Sequence, residues 1–410
     1  MADKKFTDFA QSLTPATGDF VVGYSASSNE EIRVPMNAIP VSGVAGVVQG
    51  TDSNDHNIRS RDPNVSGGGL GGARGESSVD LQTLRAASNQ VAGAANSSIL
   101  GGENNSIISG ANHSVIAGGL TNSVATGAFY SFIGGGGSNS VNASSTNSAI
   151  VGGGSNRTVS DYNFIGAGRN NLASETHSTV VGGEDHQATS NHIFIGGGDT
   201  NTSSGPYGVI AGGHTNNITQ TYSTIVGGFD NTVSSAYSAV GGGRENTVSA
   251  NYAVIAGGYK GNADKYGQYA FGGGIKGGFG LGEAQFSKFV VANTTSNNTQ
   301  TELFLDGSGA TQRMTLNVGE TWIFVATLAA RDGTDSCVFE IQGGIHRNGA
   351  TTALIETVSE NFHKKTTGAN TWDFTLEADN TNEALVAKVT GETGKTIKWV
   401  ATVDVTCVKS

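Results

Sequence analysis

Apolar and polar positions along this chain repeat on a short period. From about Leu81 to Gly280 one phrase recurs: β-branched or aromatic residues, a Gly pair, then Asn. Its fullest copy runs from Ser223 through Ile225, Gly227, Gly228 and Asn231 to Val233. Aligned on the central apolar residue, the copies give a column: Ile99, Ile116, Ile133, Ile150, Ile165, Val180, Ile195, Ile210, Ile225, Val240, Ile255 and Phe271. The step is 17 residues up to Ile150, 15 up to Ile255 and 16 to Phe271. Six residues after each member stands a second column: Asn105, Asn122, Asn139, Asn156, Asn171, His186, Asn201, Asn216, Asn231, Asn246 and Gly261.

So short a period cannot hold a helical hairpin, but it can hold one coil of a β-solenoid. The residues around the apolar column favour strand. Gly and Asn supply the left-handed backbone that corners require. Stacked coils put like on like, so the Asn column predicts an amide ladder. Ile133, Ile150, Ile165, Ile195, Ile210, Ile225 and Ile255 are the expected core. One or two large apolar side chains per coil offer little against the ordering entropy. The coils are therefore expected to bury the Ile column against copies of themselves, most simply in a homotrimer around a shared axis. A further column carries rings: Tyr162, His177, His192, Tyr207, Tyr222, Tyr237 and Tyr252. It is read as a stacking ladder. The competing reading makes Tyr207, Tyr222, Tyr237 and Tyr252 a strip on which sugars lie flat. His177 and His192 have no recurrent partner ligand, and no metal is expected there.

The pattern changes after residue 285. Trp372, Phe374, Leu376 and Ala378 alternate with Asp373, Thr375 and Glu377, and Ile397, Trp399, Ala401, Val403 and Val405 do likewise. Asp306-Gly307, Asp332-Gly333 and Asn348-Gly349 are turn dipeptides between such runs. An antiparallel β-sandwich is predicted, with Trp322, Trp372 and Trp399 in its core. The whole reads as an all-β chain. A segment at 1–45 contains a hairpin, and 46–80 is a linker. A trimeric β-solenoid or β-roll shaft of 15–17-residue coils fills 81–285, and the sandwich fills 286–410.

Three resemblances carry the functional reading. The opening segment, with Asp19-Phe20-Val21-Val22-Gly23-Tyr24, Glu31-Ile32-Arg33-Val34 and Ala38-Ile39, resembles the virion-attachment segment of phage tail fibres and tailspikes. The repeats, with their lead-in Arg74-Gly75 and Asp80-Leu81-Gln82, are similar to phage tail repeats and to the β-roll heads of trimeric autotransporter adhesins. The last domain resembles a C-terminal module of phage tail fibres. The matching text includes Thr301–Gly307, Gly344–Asn348, Asn382–Leu385 and Val389–Val400. These resemblances imply a virion protein made in the host cytoplasm. Its N-terminus would hold a tail or baseplate protein, and its far end would meet a host glycan or protein.

Composition narrows the reading. Gly accounts for 62 of 410 residues without a Gly-X-Y period, which excludes collagen. The net charge of −11 and the lack of a basic cluster exclude nucleic acid as partner. No apolar run is long enough to insert in a membrane, and the first residues carry no secretory leader. Cys337 and Cys407 read as free thiols, with a disulfide left open. Asp52, Asp55, His56 and Asp62 depart from a Ca²⁺ loop and are read as solvated linker. No cofactor is implied. Catalytic motifs are missing, so an adhesion fibre that is not an enzyme is expected, with the tip loops around Asp332, Arg347 and Lys364 as binding residues. One alternative is a polysaccharide-depolymerising tailspike, for which Glu184 with Asp185 and Asp230 with Glu245 are the candidate carboxylates. The other is a structural decoration fibre of head or tail.

Overall fold

The computed structural model describes residues 74–273, 277–307, 309 and 311–410, together with the backbone of Phe20–Tyr24, Glu31–Pro35, Val47–Gln49 and Ile58–Ser60. Phe20–Tyr24 and Glu31–Pro35 pair antiparallel, as the alternation there predicts. The rest of residues 1–45, expected as an attachment segment, and Asp52, Asp55, His56 and Asp62 lie outside the described residues. Within the expected linker, Ile58–Ser60 pairs in parallel with Val79–Asp80. The described residues are all-β, apart from one 3-10 turn at Thr367–Ala369.

Each coil of the shaft is built from two two-residue strands and one single bridge. In the coil of Ile225 these are Thr224–Ile225, Phe229 and Thr232–Val233. Thr224–Ile225 pairs in parallel with Val209–Ile210 and Ala239–Val240. Thr232–Val233 pairs in parallel with Asn217–Ile218 and Thr247–Val248. Phe229 bridges His214 and Arg244. At about 4.8 Å per rung the first ladder, from Val79 to Tyr269, is roughly 60 Å long. Corners need positive φ, and one corner needs Gly: Gly228 sits at φ 102°, where a Cβ would lie 2.1 Å from the Gly243 carbonyl oxygen. The 17-residue coils place their two extra residues between second strand and next first strand, where Gly110, Gly127 and Ser144 add a left-handed residue.

Side chains alternate in and out along each short strand, and the inward ones fill the coil. Ile133, Ile150, Ile165, Ile195, Ile210, Ile225 and Ile255 are all 0% exposed within the single chain. The expectation that they pack at a subunit seam is therefore corrected. A second inward column two residues after the Asn, including Ile107, Val124, Val141, Ile218, Val233 and Val248, meets them from the facing ladder. The end of the column also differs. Ala270, not Phe271, pairs beside Ile255, so the step stays at 15, and Phe271 faces outward. At the other end the buried carboxylate of Asp80 stands beside Ile99. Arg74 and Arg85 lie 3.2 and 3.8 Å from it and close the core with charge. Burial still pushes the Asp80 carboxyl above its usual range.

The shaft sheet runs on into the terminal domain. Tyr269–Gly272 pairs antiparallel with Ala284–Thr295, then Ile397–Lys409, Glu320–Arg331 and Ser336–Asn348 follow in order. A second sheet gathers Thr301–Leu303, Met314–Thr315 and Asp373–Asp379 around Ala384–Thr390. The two sheets close over one apolar core that holds Trp322, Trp372 and Trp399. Cys337 and Cys407 are free and buried in it.

Candidate functional site

The Asn column lies inside the corner and is fully committed. Asn231 Nδ2 donates to Gly227 O, Gly243 O and Asn216 Oδ1 at 3.0–3.1 Å. Its Oδ1 accepts from the Asn246 amide N–H and from Asn246 Nδ2. The same pattern runs along the shaft, begun by Gln82, whose Oε1 accepts from the Asn105 N–H, and ended at the Gly261 N–H. These amides hold the fold and offer nothing to a ligand.

The ring column is a continuous stack. Tyr162, His177, His192, Tyr207, Tyr222, Tyr237 and Tyr252 follow one another with centroids 4.6–5.2 Å apart and planes within 17°. All seven sit in the left-handed region, at φ 54–60°. The rings are about half exposed, Tyr207 at 43% and Tyr222, Tyr237 and Tyr252 at 50%. Because each face is covered by the next ring, solvent meets edges and phenol hydroxyls. The geometry therefore does not offer the flat platform that sugar stacking requires.

The neighbouring corner holds the charged chemistry. The bridge ladder there reads Arg169, Glu184, Asp199, His214, Phe229, Arg244, Tyr259, one residue per coil. Each is followed by a left-handed residue: Asn170, Asp185, Thr200, Thr215, Asp230, Glu245 and Lys260. Glu184 pairs with Arg169, and Asp199 lies 3.3 Å from His214 Nε2. Arg244 Nε donates to Glu245 Oε1 at 2.7 Å, and Lys260 Nζ is 4.0 Å from the other oxygen. The Arg244 guanidinium stands 4.9 Å from the Phe229 ring and 5.7 Å from the Tyr259 ring. Two carboxylate pairs thus occupy equivalent places in successive coils, Glu184 with Asp199 and Asp230 with Glu245. One rung, about 5 Å, separates the members of each at the backbone. The rung is of the size of the spacing used in retaining glycoside hydrolysis, while the carboxyl groups themselves turn to separate partners, Glu184 to Arg169, Asp199 to His214 and Glu245 to Arg244. Sequence reasoning picked out Glu184, Asp185, Asp230 and Glu245 but missed Asp199, His214 and Arg244. A column written four residues after the Ile exposes them. His214 Nδ1 also lies 2.7 Å from Thr215 Oγ1, which completes a carboxylate–imidazole–hydroxyl chain. Acyl transfer further needs backbone donors for an oxyanion, and the Thr215 N–H is already given to Asp199 O.

The expected tip residues divide. Arg347 donates to Leu316 O and Gly349 O and pairs with Glu383, at the end of the domain that meets the shaft, where Asn317 Nδ2 donates to Asp264. It holds structure and is not at the tip. Asp332 lies at the far end, but its Oδ1 accepts the N–H groups of Thr334 and Asp335 and so builds its own turn. Those hydrogen bonds hold its carboxyl below the usual range. Lys395 ties this turn to Gly368 O and Glu392. Lys364 is exposed beside Phe362.

No protein-family model and no curated protein matches the chain. Among the solved structures that align with it are two tailspikes. One is the tailspike protein gp49 of Acinetobacter baumannii bacteriophage Fri1, a capsular polysaccharide depolymerase, at 9% identity over 81% of this chain with a TM-score of 0.23. The other is the tailspike protein of Acinetobacter phage vB_ApiP_P1, at 9% identity over 83% of this chain, 78% of that one, with a TM-score of 0.20. The present chain spans 57% of the length of the first. That first protein is described as an enzyme, which overturns the expectation that a chain of this kind does no catalysis.

Proposed function

We propose that this chain is a phage tailspike or tail fibre that binds a host-surface polysaccharide along its shaft, the corner from Glu184 to Lys260 forming the contact and Tyr207, Tyr222, Tyr237 and Tyr252 its flanking edge. The observation that supports it is periodicity. One corner presents a charged or aromatic group at every coil, and a polymer of repeating sugars is the ligand whose own period can follow such a surface. Hydrolysis at that corner is the reading that the paired carboxylates favour, with Asp230 and Glu245, or Glu184 and Asp199, as acid and nucleophile.

The same proposal includes a homotrimer, attached to the virion through the N-terminal segment. A row of exposed apolar side chains runs along the outer side of the Ile sheet, with Leu100, Phe132, Phe164, Phe194, Val226 and Phe271 in it. It continues on the terminal domain through Phe286, Val290, Val400 and Val408. Exposed apolar side chains aligned in this way mark an interaction surface. The test uses the purified chain with a panel of bacterial capsular polysaccharides. Binding is read by co-sedimentation, cleavage by release of reducing ends, and mass by light scattering against three times 41.7 kDa. Asp230→Asn and Glu245→Gln abolish cleavage and spare binding if that pair is catalytic. Failure of every polysaccharide to bind overturns the proposal, and a monomer at micromolar concentration overturns its assembly.

A further inference from the structure

One rung of the buried amide ladder is an imidazole. His186 takes the place of Asn and is 0% exposed. Its Nδ1 accepts the Asn201 N–H at 3.1 Å, so the ring proton of the neutral form is on Nε2. In the next coil Asn201 Nδ2 donates to Gly197 O and Gly213 O at 3.0 and 2.8 Å. His186 Nε2 occupies the matching place, buried, with the Gly198 backbone beside it but no well-formed hydrogen bond to it. The packing around it is also thin. The second inward column reads Ala173, Ala188 and Ser203 here, against Ile218, Val233 and Val248 further on, and the Ser203 hydroxyl is buried without a partner too. The apolar core of the shaft divides at the far side of this coil, where Ser203 stands, one cluster ending at Ile195 and the next beginning at Ile210.

We propose that the coil from Gly182 to Gly197 is an acid-labile joint, opened by protonation of His186 while the coils on either side stay closed. A second ring proton has only Nδ1 to occupy, where it would face the Asn201 N–H, donor against donor in a dry corner. The charged groups around the ring are Asp185 in the same corner, whose carboxylate accepts from Asn170 Nδ2 at 2.5 Å, and Asp199 one coil on, paired with His214. Glu184 is taken by Arg169 of the coil before. Burial holds His186 below the ordinary imidazole range, outweighing Asp199, the backbone at Asn201 and Gly198, and Asp185, which all favour the protonated ring. The opened chain therefore binds the proton more readily than the closed one. Closure is complete above about pH 6.5, the unperturbed value, and weakens as pH falls below it until the closed-state value is reached.

Hydrogen exchange by mass spectrometry on the full chain between pH 8 and 5, corrected for the intrinsic pH dependence of amide exchange, tests this. The opening constant of a peptide covering 182–197 rises about tenfold per pH unit below about 6.5, while a peptide covering 216–233 stays flat. His186→Asn restores the amide of the neighbouring coils and makes 182–197 flat as well. A flat profile in the native chain overturns the joint. So does a pH-dependent profile that survives in His186→Asn, which would move the sensor to another group.

Discussion

Replacing Asn231 by Asp tests whether the amide ladder holds the shaft. The change is nearly isosteric, so packing is kept and the chemistry alone is altered. Asn231 is 0% exposed, and its Nδ2 serves three acceptors: Gly227 O, Gly243 O and Asn216 Oδ1. A carboxylate would set a negative charge against all three, in a corner that water does not reach. Uncompensated buried charges cost about 3–5 kcal/mol. Protonation of the new acid relieves part of this by returning one donor. The deficit is therefore largest near pH 8 and shrinks toward pH 5. Asn217→Asp is the control, since Asn217 lies one coil earlier, paired beside Thr232 on the outer side of the same ladder, and is partly exposed. Urea denaturation followed by far-UV circular dichroism gives both values. Coupling between neighbouring coils spreads the loss over the whole shaft transition. If Asn231→Asp falls within about 0.5 kcal/mol of Asn217→Asp, the ladder contributes no more than a surface amide and the reasoning fails.

Ile225→Ala leaves a cavity inside the coil and costs about 2–5 kcal/mol. Because the side chain is buried within its own chain, the loss is the same at every protein concentration; a loss that vanishes on dilution would place Ile225 at a seam after all. Burial pushes the Cys337 thiol up to about 11 and Cys407 up to about 12, so the thiolate form is scarce at pH 8. A disulfide reagent such as Ellman's should leave both untouched in the folded protein and titrate both in denaturant, and prompt labelling of the folded chain would show that these strands open.

Much of the shaft was legible because stacking writes structure into columns. Ile133 through Ile255, the amides from Asn105 to Asn246 and the three tryptophans all stand where period and alternation place them. The seam argument failed because it counted only one or two large apolar side chains per coil and followed a single column. The second inward column, two residues after each Asn, is weaker in sequence, since it passes through Thr158, Ala173, Ala188 and Ser203. Read together, the two columns fill the coil. Phe271 was aligned by its apolar character, whereas the hydrogen-bond register selects Ala270. The charged corner was only half legible, because carboxylates at Glu184 and Asp230 belong to two adjacent columns and show no period until both are separated. Arg347 and Lys364, expected in loops, lie in the strands Ser336–Asn348 and Ser359–Lys365, and the sequence could not tell the inner end of the domain from the outer. That depends on which way each terminal strand runs relative to the last coil.

The ring column bears on where a ligand can lie. A left-handed corner is easiest for Gly or Asn, and a bulky side chain there costs about 1–2 kcal/mol. Stacking returns about 0.5–1.5 kcal/mol per aromatic pair. The two nearly cancel, so Tyr207, Tyr222, Tyr237 and Tyr252 add little stability that Asn would not have given. What they add is a rigid edge, with phenol hydroxyls set by the coil spacing and held by ring-on-ring contact. A polymer along that edge would meet one hydroxyl per coil and no open ring face, except at Tyr266, where the stack ends with a ring tilted by 56° from Tyr252. On the proposed function, recognition along the shaft would be by hydrogen bonds to a fixed register. The acidic and cationic groups from Glu184 to Lys260 share that register, because the same ladder spaces them.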